Sequence, residues 1–421
     1  MLDLKFIREN GEIVRQAIEH KRANVDLNHF MALDAQRRQL INKVETSRAE
    51  QNKVTQQISE MKKARQETTE VIAEMSRLAE TIKKMNDELK QVETQIYEIQ
   101  IRIPNIPHES VPIGSEKNNK VVKQWGQLPQ MDYKPLPHYE IAEKLALIDF
   151  ARASRMSGSF FVSYRGLGAK LERALINFMI DLHVDKHGYT EIFPPFVTKR
   201  EAMFGTGQLP KLEEDMYRCE LDDLFLIPTA EVPVTNLHRE ETIEGDSLPI
   251  KYTAYTPCFR REAGAYGKDT RGLVRIHQFN KVEMVKFVKP EDSWDELETL
   301  LQNAEEVLQL LQLPYRVVTL ATGDLSFAAA KCYDIEVYAA GMDKWLEVSS
   351  CSNFVDFQAR RANIRFRREK GAKPEYVHTL NGSGLALPRT VIAIMENYQT
   401  DEGTIVVPTA LRKYMGVDII K

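Results

Sequence analysis

The strongest constraint on the fold of this chain is a run of apolar residues that returns every 3.5 positions. Val71, Met75, Leu78, Ile82, Met85, Leu89, Val92, Ile96 and Ile99 follow one another at spacings of four and three without a gap. A helix that keeps this repeat turns one narrow apolar stripe toward a partner, so the segment reads as one strand of a coiled coil. Leu33, Leu40, Val44, Val54, Ile58 and Met61 carry the same rhythm in the preceding segment, with Arg37, Ser47 and Gln51 at seam positions. No glycine lies between Gly11 and Gly114, and the first proline is Pro104, so nothing in that interval breaks a helix. Between the two runs lies KKARQETTE, residues 62–70, polar and without a seam residue. A reversal there pairs the helices antiparallel within one chain, as an arm over about residues 31–100 that is roughly 45 Å long at 1.5 Å per residue. A single uninterrupted helix pairing with a second chain is the alternative.

An arm of that length buries little beyond its own seam and is suited to reaching a partner. Arg37, Arg38, Lys62, Lys63 and Arg65 are candidates for touching phosphates. A solvated helix face laced with i,i+4 pairs satisfies the same charge pattern.

The 421 residues suit two domains, and 43% hydrophobic with 28% charged residues is ordinary for a chain with a real core. No apolar stretch is long enough to cross a bilayer and MLDLKFIREN lacks a secretory pattern, so the expected location is cytoplasmic, with no membrane partner. Cys219, Cys258, Cys332 and Cys351 lie far apart with no CxxC pair, which argues against a disulfide framework and a zinc knuckle. A net charge of −4 excludes capture of a polyanion by the field of the whole chain and leaves that task to local patches.

The proline-rich IRIPNIPHESVPIG ends the helical region. The boundaries expected are therefore 1–104 for the N-terminal domain, 105–138 for a linker and 139–421 for a second domain. Within the latter, Leu167, Leu171, Ala174, Leu175, Phe178, Met179 and Leu182 form a helical stripe. EIFPPFV, DLFLIPTAEV, IKYTAYTPCFRRE, LVRIHQFNKVEMVKFV, YRVVTLA, CYDIEVYAA and KWLEVSSCSN read as strands. No GxGxxG or GxxxxGK[ST] loop follows a strand, so neither dinucleotide nor P-loop chemistry is supported. The fold class expected is α+β, the arm followed by a mainly antiparallel sheet flanked by helices.

The densest chemistry runs from Cys258 to Val288. A strand ending in Arg260 leads into a glycine-containing loop with Lys268 and Arg271, and a second strand returns through Arg275, Phe279 and Glu283. Paired, the strands present cations, an aromatic ring and a carboxylate on one face, which suits a nucleotide: arginine forks match phosphate oxygens and a ring stacks on a base. Charged hairpins without such a role are equally common. Three further segments add to the case. PTAEVPV carries Thr229 and Glu231, and EVSSCSN offers Glu347 and Ser350 as hard oxygen donors suited to Mg²⁺. HTLNGSGLALPRTVIAIMENYQ passes from a strand end into a helix with Pro388 and Arg389 in its first turn.

These segments, with Pro195 of EIFPPFV, resemble the signature motifs of class II aminoacyl-tRNA synthetases, and the whole chain is similar to the bacterial seryl-tRNA synthetase family. FRREAG through HQFNKVE matches motif 2, GLALPR motif 3, and PTAEVP the TxE loop of that family. The resemblance implies ATP as a substrate, Mg²⁺, L-serine, tRNA(Ser) held through the arm, selenocysteine tRNA where present, and a homodimer made through motif 1. It implies that Arg260 binds the α-phosphate and the serine carboxylate, that Phe279 lies under the adenine with Glu262 beside it, and that Arg271, Arg275 and Arg389 take phosphates. Glu347 and Ser350 would hold Mg²⁺. Thr229 and Glu231 would receive the serine ammonium, Glu283 and Ser383 the serine hydroxyl, and Asn381 would shape the pocket. His277 and His378 lie inside the motifs and read as structural. Phe160 and Arg261 depart from the family pattern, which has arginine and serine there. The rival functions are amino-acid activation for a carrier protein, which the arm argues against, and a non-catalytic RNA-binding relative, which the set Arg260, Glu283, Glu347 and Arg389 argues against.

Overall fold

A computed structural model describes residues 1–262 and 271–421. The chain divides into two compact units, one of residues 2–104 and one of residues 105–421 with Met1.

In the first unit the 3.5-residue repeat forms helix α1 (Leu27–Lys63) and helix α2 (Thr69–Gln100), joined by a short turn within the polar 62–70 segment. Asp26 caps α1 by accepting the His29 N–H. Cross-helix contacts run antiparallel: Arg37 Nε lies 3.0 Å from Glu93 Oε1, Arg48 reaches Asn86, and Thr55 approaches Met75. Every expected seam residue is buried or half-buried, and so are Arg37, Ser47 and Gln51. The seam therefore accepts polar groups where they find partners, as Arg37 does with Glu93. At the base of the arm Asp34 is buried between Arg8 and Arg38, at 3.3 and 3.2 Å.

The second unit is organised by an eight-stranded sheet. In chain order its strands are β1 (Lys120–Trp125), β2 (Thr190–Glu191), β3 (Ile250–Phe259), β4 (Gln278–Val288), β5 (Tyr315–Thr319), β6 (Lys331–Ala339), β7 (Lys344–Asn353) and β8 (His378–Ala386). Their order across the sheet is β1-β5-β6-β7-β8-β4-β3-β2, and every pairing is antiparallel except β2 with β3. Helices flanking this sheet include α3 (His138–Lys144), α4 (Gly166–Asp185), α5 (Glu231–Thr235), α6 (Ser293–Leu310) and α7 (Leu387–Asn397). The apolar stripe of α4 and the inward faces of α6 and α7 bury Leu171, Leu175, Leu300, Leu308, Val391 and Ile394 in one core with Val282 and Met284 of β4. The stretch expected as a linker supplies β1, an edge strand of the sheet.

Two expected strands end early. DLFLIPTAEV keeps Leu224–Leu226 as a strand, after which Pro228 removes a donor and the chain turns into α5. LVRIHQ joins its strand only at Gln278, because the His277 backbone N–H is spent on the Phe160 carbonyl, 3.0 Å away. EIFPPFV is strand at its two ends, with the two prolines between. Among the described residues no helix is long and apolar enough to cross a membrane.

Candidate active site

Glu283 is buried in the wall of a cavity of about 680 Å³ on one face of the sheet. Alternation along β4 puts Phe279, Lys281 and Glu283 on that face and Val282 and Met284 in the core. The register leaves room above Glu283, since its cross-strand neighbours are the small residues Ala254 on β3 and Ser383 on β8. Thr229 donates to Glu283 Oε2 at 3.1 Å, and Lys281 Nζ lies 2.5 Å from the same oxygen and 2.7 Å from Thr229 Oγ1. Because the chain turns into α5 after Pro228, the Glu231 N–H faces Thr229 Oγ1 at 3.3 Å. Its carboxylate is gripped by Gln358 at 2.6 Å and Gln208 at 3.3 Å. Burial, reinforced by the charge of Glu283, raises the Glu231 pKa to about 7, against the opposing pull of Gln358, Lys281 and Gln208. The result is a small, deeply buried, acid-rich pocket, suited to an ammonium and a hydroxyl.

A second group of side chains lines the same cavity. The Arg260 guanidinium lies 5.1 Å from the centre of the Phe279 ring and is braced by Nε donating to the Pro228 carbonyl at 3.2 Å. Arg275 reaches back to Glu262 at 2.7 Å. Pro388 and Arg389 form the first turn of α7, where proline's missing N–H costs nothing. Arg389 Nη1 donates to the Glu347 carbonyl at 2.7 Å and stands 3.6 Å from Glu347 Oε2. On β7, Ser350 donates to the Glu347 carboxylate at 3.2 Å.

All of Thr229, Glu231, Arg260, Glu262, Arg275, Phe279, Glu283, Glu347, Ser350, Asn381, Ser383 and Arg389 line this cavity. Arg271 does not; its guanidinium lies 4.1 Å over the Tyr139 ring. Lys268 lies outside the described residues. His277 bonds backbone and His378 shares a 2.8 Å contact with Ser293 Oγ, with burial lowering the His378 pKa. Phe160 packs edge-on against His277, and Arg261 donates its N–H to the Asp215 carbonyl. On the arm, Arg37 and Arg38 are engaged by Glu93 and Asp34, while Lys62, Lys63 and Arg65 stand exposed at the tip.

Sequence reasoning passed over Lys281, Gln208 and Gln358. Lys281 was within reach, being two residues from both Phe279 and Glu283 on a strand. The two glutamines carry no local signal, since they reach Glu231 from distant segments.

An antiparallel sheet with an arginine–phenylalanine pair on its β3–β4 hairpin and an arginine at the start of the helix that follows β8 defines a class II aminoacyl-tRNA synthetase core. The class II core-domain model for tRNA synthetases (G, H, P, S and T) matches residues 216–398, and the seryl-tRNA synthetase N-terminal domain model matches residues 1–107. The serine–tRNA ligases of Carboxydothermus hydrogenoformans and Bacillus subtilis are each 56% identical to the chain. The first aligns over 100% of the chain and 99% of its own length, the second over 99% and 98%. The crystal structure of seryl-tRNA synthetase from Pyrococcus horikoshii complexed with ATP superposes with a TM-score of 0.95 at 38% identity, covering 100% of this chain and 99% of that one. The chain belongs to the seryl-tRNA synthetase family.

Proposed function

We propose that the chain is a serine–tRNA ligase that activates L-serine with ATP and transfers it to tRNA(Ser). The observation that carries the reading is the convergence, in one cavity, of the Thr229–Glu231–Glu283 pocket with Arg260 and Arg389. The serine carboxylate oxygen attacks the α-phosphorus of ATP, forming the acyl–phosphate bond as the bond to pyrophosphate breaks. The terminal ribose hydroxyl of the tRNA then attacks the acyl carbon, and AMP leaves. Arg260 meets the carboxylate and the α-phosphate, Phe279 carries the adenine with Glu262 beside it, and Arg275 and Arg389, which line the cavity, neutralise the phosphates. Catalysis rests on placing two anions against each other and stabilising the charge that develops between them.

The donor set fits Mg²⁺: the Glu347 carboxylate and Ser350 hydroxyl are adjacent hard oxygens, and Glu347 is open enough to leave sites for water and phosphate. Bound there, the ion would offset phosphate charge.

Selectivity follows from burial. Thr229, Lys281 and Glu283 are satisfied among themselves, so a substrate must bring a donor of its own to displace that arrangement. Serine supplies an ammonium and a hydroxyl, and Ser383 and Asn381 border the same space. Alanine lacks the hydroxyl and leaves a buried polar group without its partner.

We further propose a homodimer through the motif 1 segment, supported by the exposed apolar residues Phe193, Pro195 and Val197. The arm would hold the tRNA, its tip cations meeting phosphates. Incubating the protein with bulk tRNA and each amino acid in turn tests the whole reading. Charging with serine is the expected outcome, and charging with none would overturn it.

A further inference from the structure

A chain of three fully buried groups joins the helix that carries Arg389 to the segment that carries Arg271 and Arg275. Glu396 lies on α7, two turns beyond Arg389 and therefore on the same face of the helix. Its Oε1 accepts the His138 backbone N–H at 2.8 Å and faces His138 Nδ1 at 2.9 Å, while its Oε2 accepts the Met342 N–H at 3.0 Å. On the other side of the ring the Leu273 backbone N–H donates to His138 Nε2 at 3.0 Å. An amide can only donate, so Nε2 is bare, and Nδ1, which faces a carboxylate, carries the proton. Both His138 and Glu396 are inaccessible to solvent.

The point of attachment is specific. Leu273 is buried and lines the ATP side of the cavity, between Arg271 and Arg275. Gly272 has φ +76°, and a Cβ there would sit 2.1 Å from His138 Nε2, so the backbone can approach the ring this closely only at a glycine. Tyr139, next to His138 on α3, supports the Arg271 guanidinium at 4.1 Å. One turn of one helix thus touches the loop return through both an imidazole and a ring face.

We propose that His138 is a positioning residue for ATP: a neutral imidazole strut that sets the Arg271–Arg275 segment against the helix bearing Arg389. The inference rests on the reading that Arg275 and Arg389, which line the cavity, meet the phosphates of ATP. Its effect falls on the nucleotide and spares the serine pocket, which is built from other elements. Polar groups that fix the orientation of ligand-contacting side chains act in this way at a distance from the ligand itself.

The test uses the full chain and two amides that divide the imidazole's duties. In His138→Asn the amide occupies the level of Nδ1 and keeps the bond to Glu396 but cannot reach Leu273. In His138→Gln it reaches the level of Nε2 and can accept the Leu273 N–H. Serine-dependent ATP–pyrophosphate exchange gives KM for ATP and for serine separately, and thermal unfolding is followed in parallel. The expected result for His138→Asn is a rise in the KM for ATP of about tenfold, the scale of one lost hydrogen bond, with the KM for serine within about twofold of wild type. His138→Gln should recover the KM for ATP to within about twofold. Equal kinetics for both variants, or KM values for ATP and serine that rise together, would overturn the strut. Should the Asn variant not fold, Glu396→Ala, which removes the acceptor that a glutamine would keep, tests the other end, and an unchanged KM for ATP in that variant overturns the proposal as well. Absence of serine-dependent exchange in the wild-type protein would instead remove the reading on which the inference rests.

Discussion

The arm and the catalytic pocket hold their polar groups in opposite ways. Along the arm, charged side chains stand at the surface or beside a partner, as Arg37 does with Glu93, and the apolar seam carries most of the association of the helices. In the pocket, Thr229, Glu231, Lys281 and Glu283 are all buried; Thr229, Lys281 and Glu283 satisfy one another, and Gln358 and Gln208 hold the Glu231 carboxylate. Exposed pairs contribute little to stability, whereas a buried group that loses its partner retains the full cost of desolvation. The arm should therefore tolerate substitution, and the pocket should not.

The sharpest way to break that contrast is Glu283→Ala. Removing this carboxylate leaves Lys281 a buried cation without its partner and takes away the serine hydroxyl's acceptor. Exchange with serine should fall by at least about 10³-fold while the helical signal of the arm persists. Near-normal exchange would remove Glu283 from the site.

Shortening the arm is the next largest perturbation. The cross-helix contacts Arg37–Glu93 and Arg48–Asn86 show that a cut leaving flush helix ends runs from about Val44 to Asn86. Replacing that stretch by a short turn should leave ATP–pyrophosphate exchange within about twofold and lower tRNA charging by about 10²-fold, the scale of several lost phosphate contacts. If charging survives, the arm has no part in holding tRNA.

A milder test keeps the arm and neutralises Lys62, Lys63 and Arg65 at its tip. The KM for tRNA should rise about tenfold and its dependence on salt should flatten, because each phosphate contact releases counterions. Replacing Arg37 and Arg38, which already have acid partners, should instead lower the melting temperature of the arm with a smaller change in KM.

The smallest effect is one of pH on serine binding. With its pKa raised to about 7, Glu231 carries a proton in the unliganded protein below that pH. Its contribution to stability is complete below about 4.5, the ordinary carboxylate value, and is lost as pH rises through about 7. Serine's ammonium favours the charged carboxylate. Binding below pH about 7 should release a proton, and the Kd should tighten by up to about tenfold per pH unit until it levels above that pH. Calorimetry in buffers of different ionisation enthalpy would measure the release, and a pH-independent Kd would count against Glu231 as the ammonium's partner.

The sequence could be read furthest where structure is local. The nine-residue seam, the polar reversal and the proline stop all act within a few turns of their own position, and α1 and α2 follow them closely. Reading was weaker where one residue's bond limited a strand, as with the His277 N–H on the Phe160 carbonyl, or where Pro228 turned the chain into a helix that the β-rich texture hid. The resemblance named most of the site by position. It did not reveal that Arg271 rests on Tyr139, that Lys281 lies inside the serine pocket, or that Gln208 and Gln358 hold Glu231.

By itself the sequence determined a long antiparallel arm, a mixed α/β unit behind it and the types of residue available for chemistry, because periodicity, breakers and motifs are properties of neighbours in the chain. The tertiary structure alone decided which of those residues meet. Glu283 acquires space because Ala254 and Ser383 flank it across two ladders, and His138 acquires a proton position because Glu396 and Leu273 arrive on its two sides. Cross-strand register and burial join residues from about thirty to more than two hundred positions apart, and no local pattern in the chain encodes either.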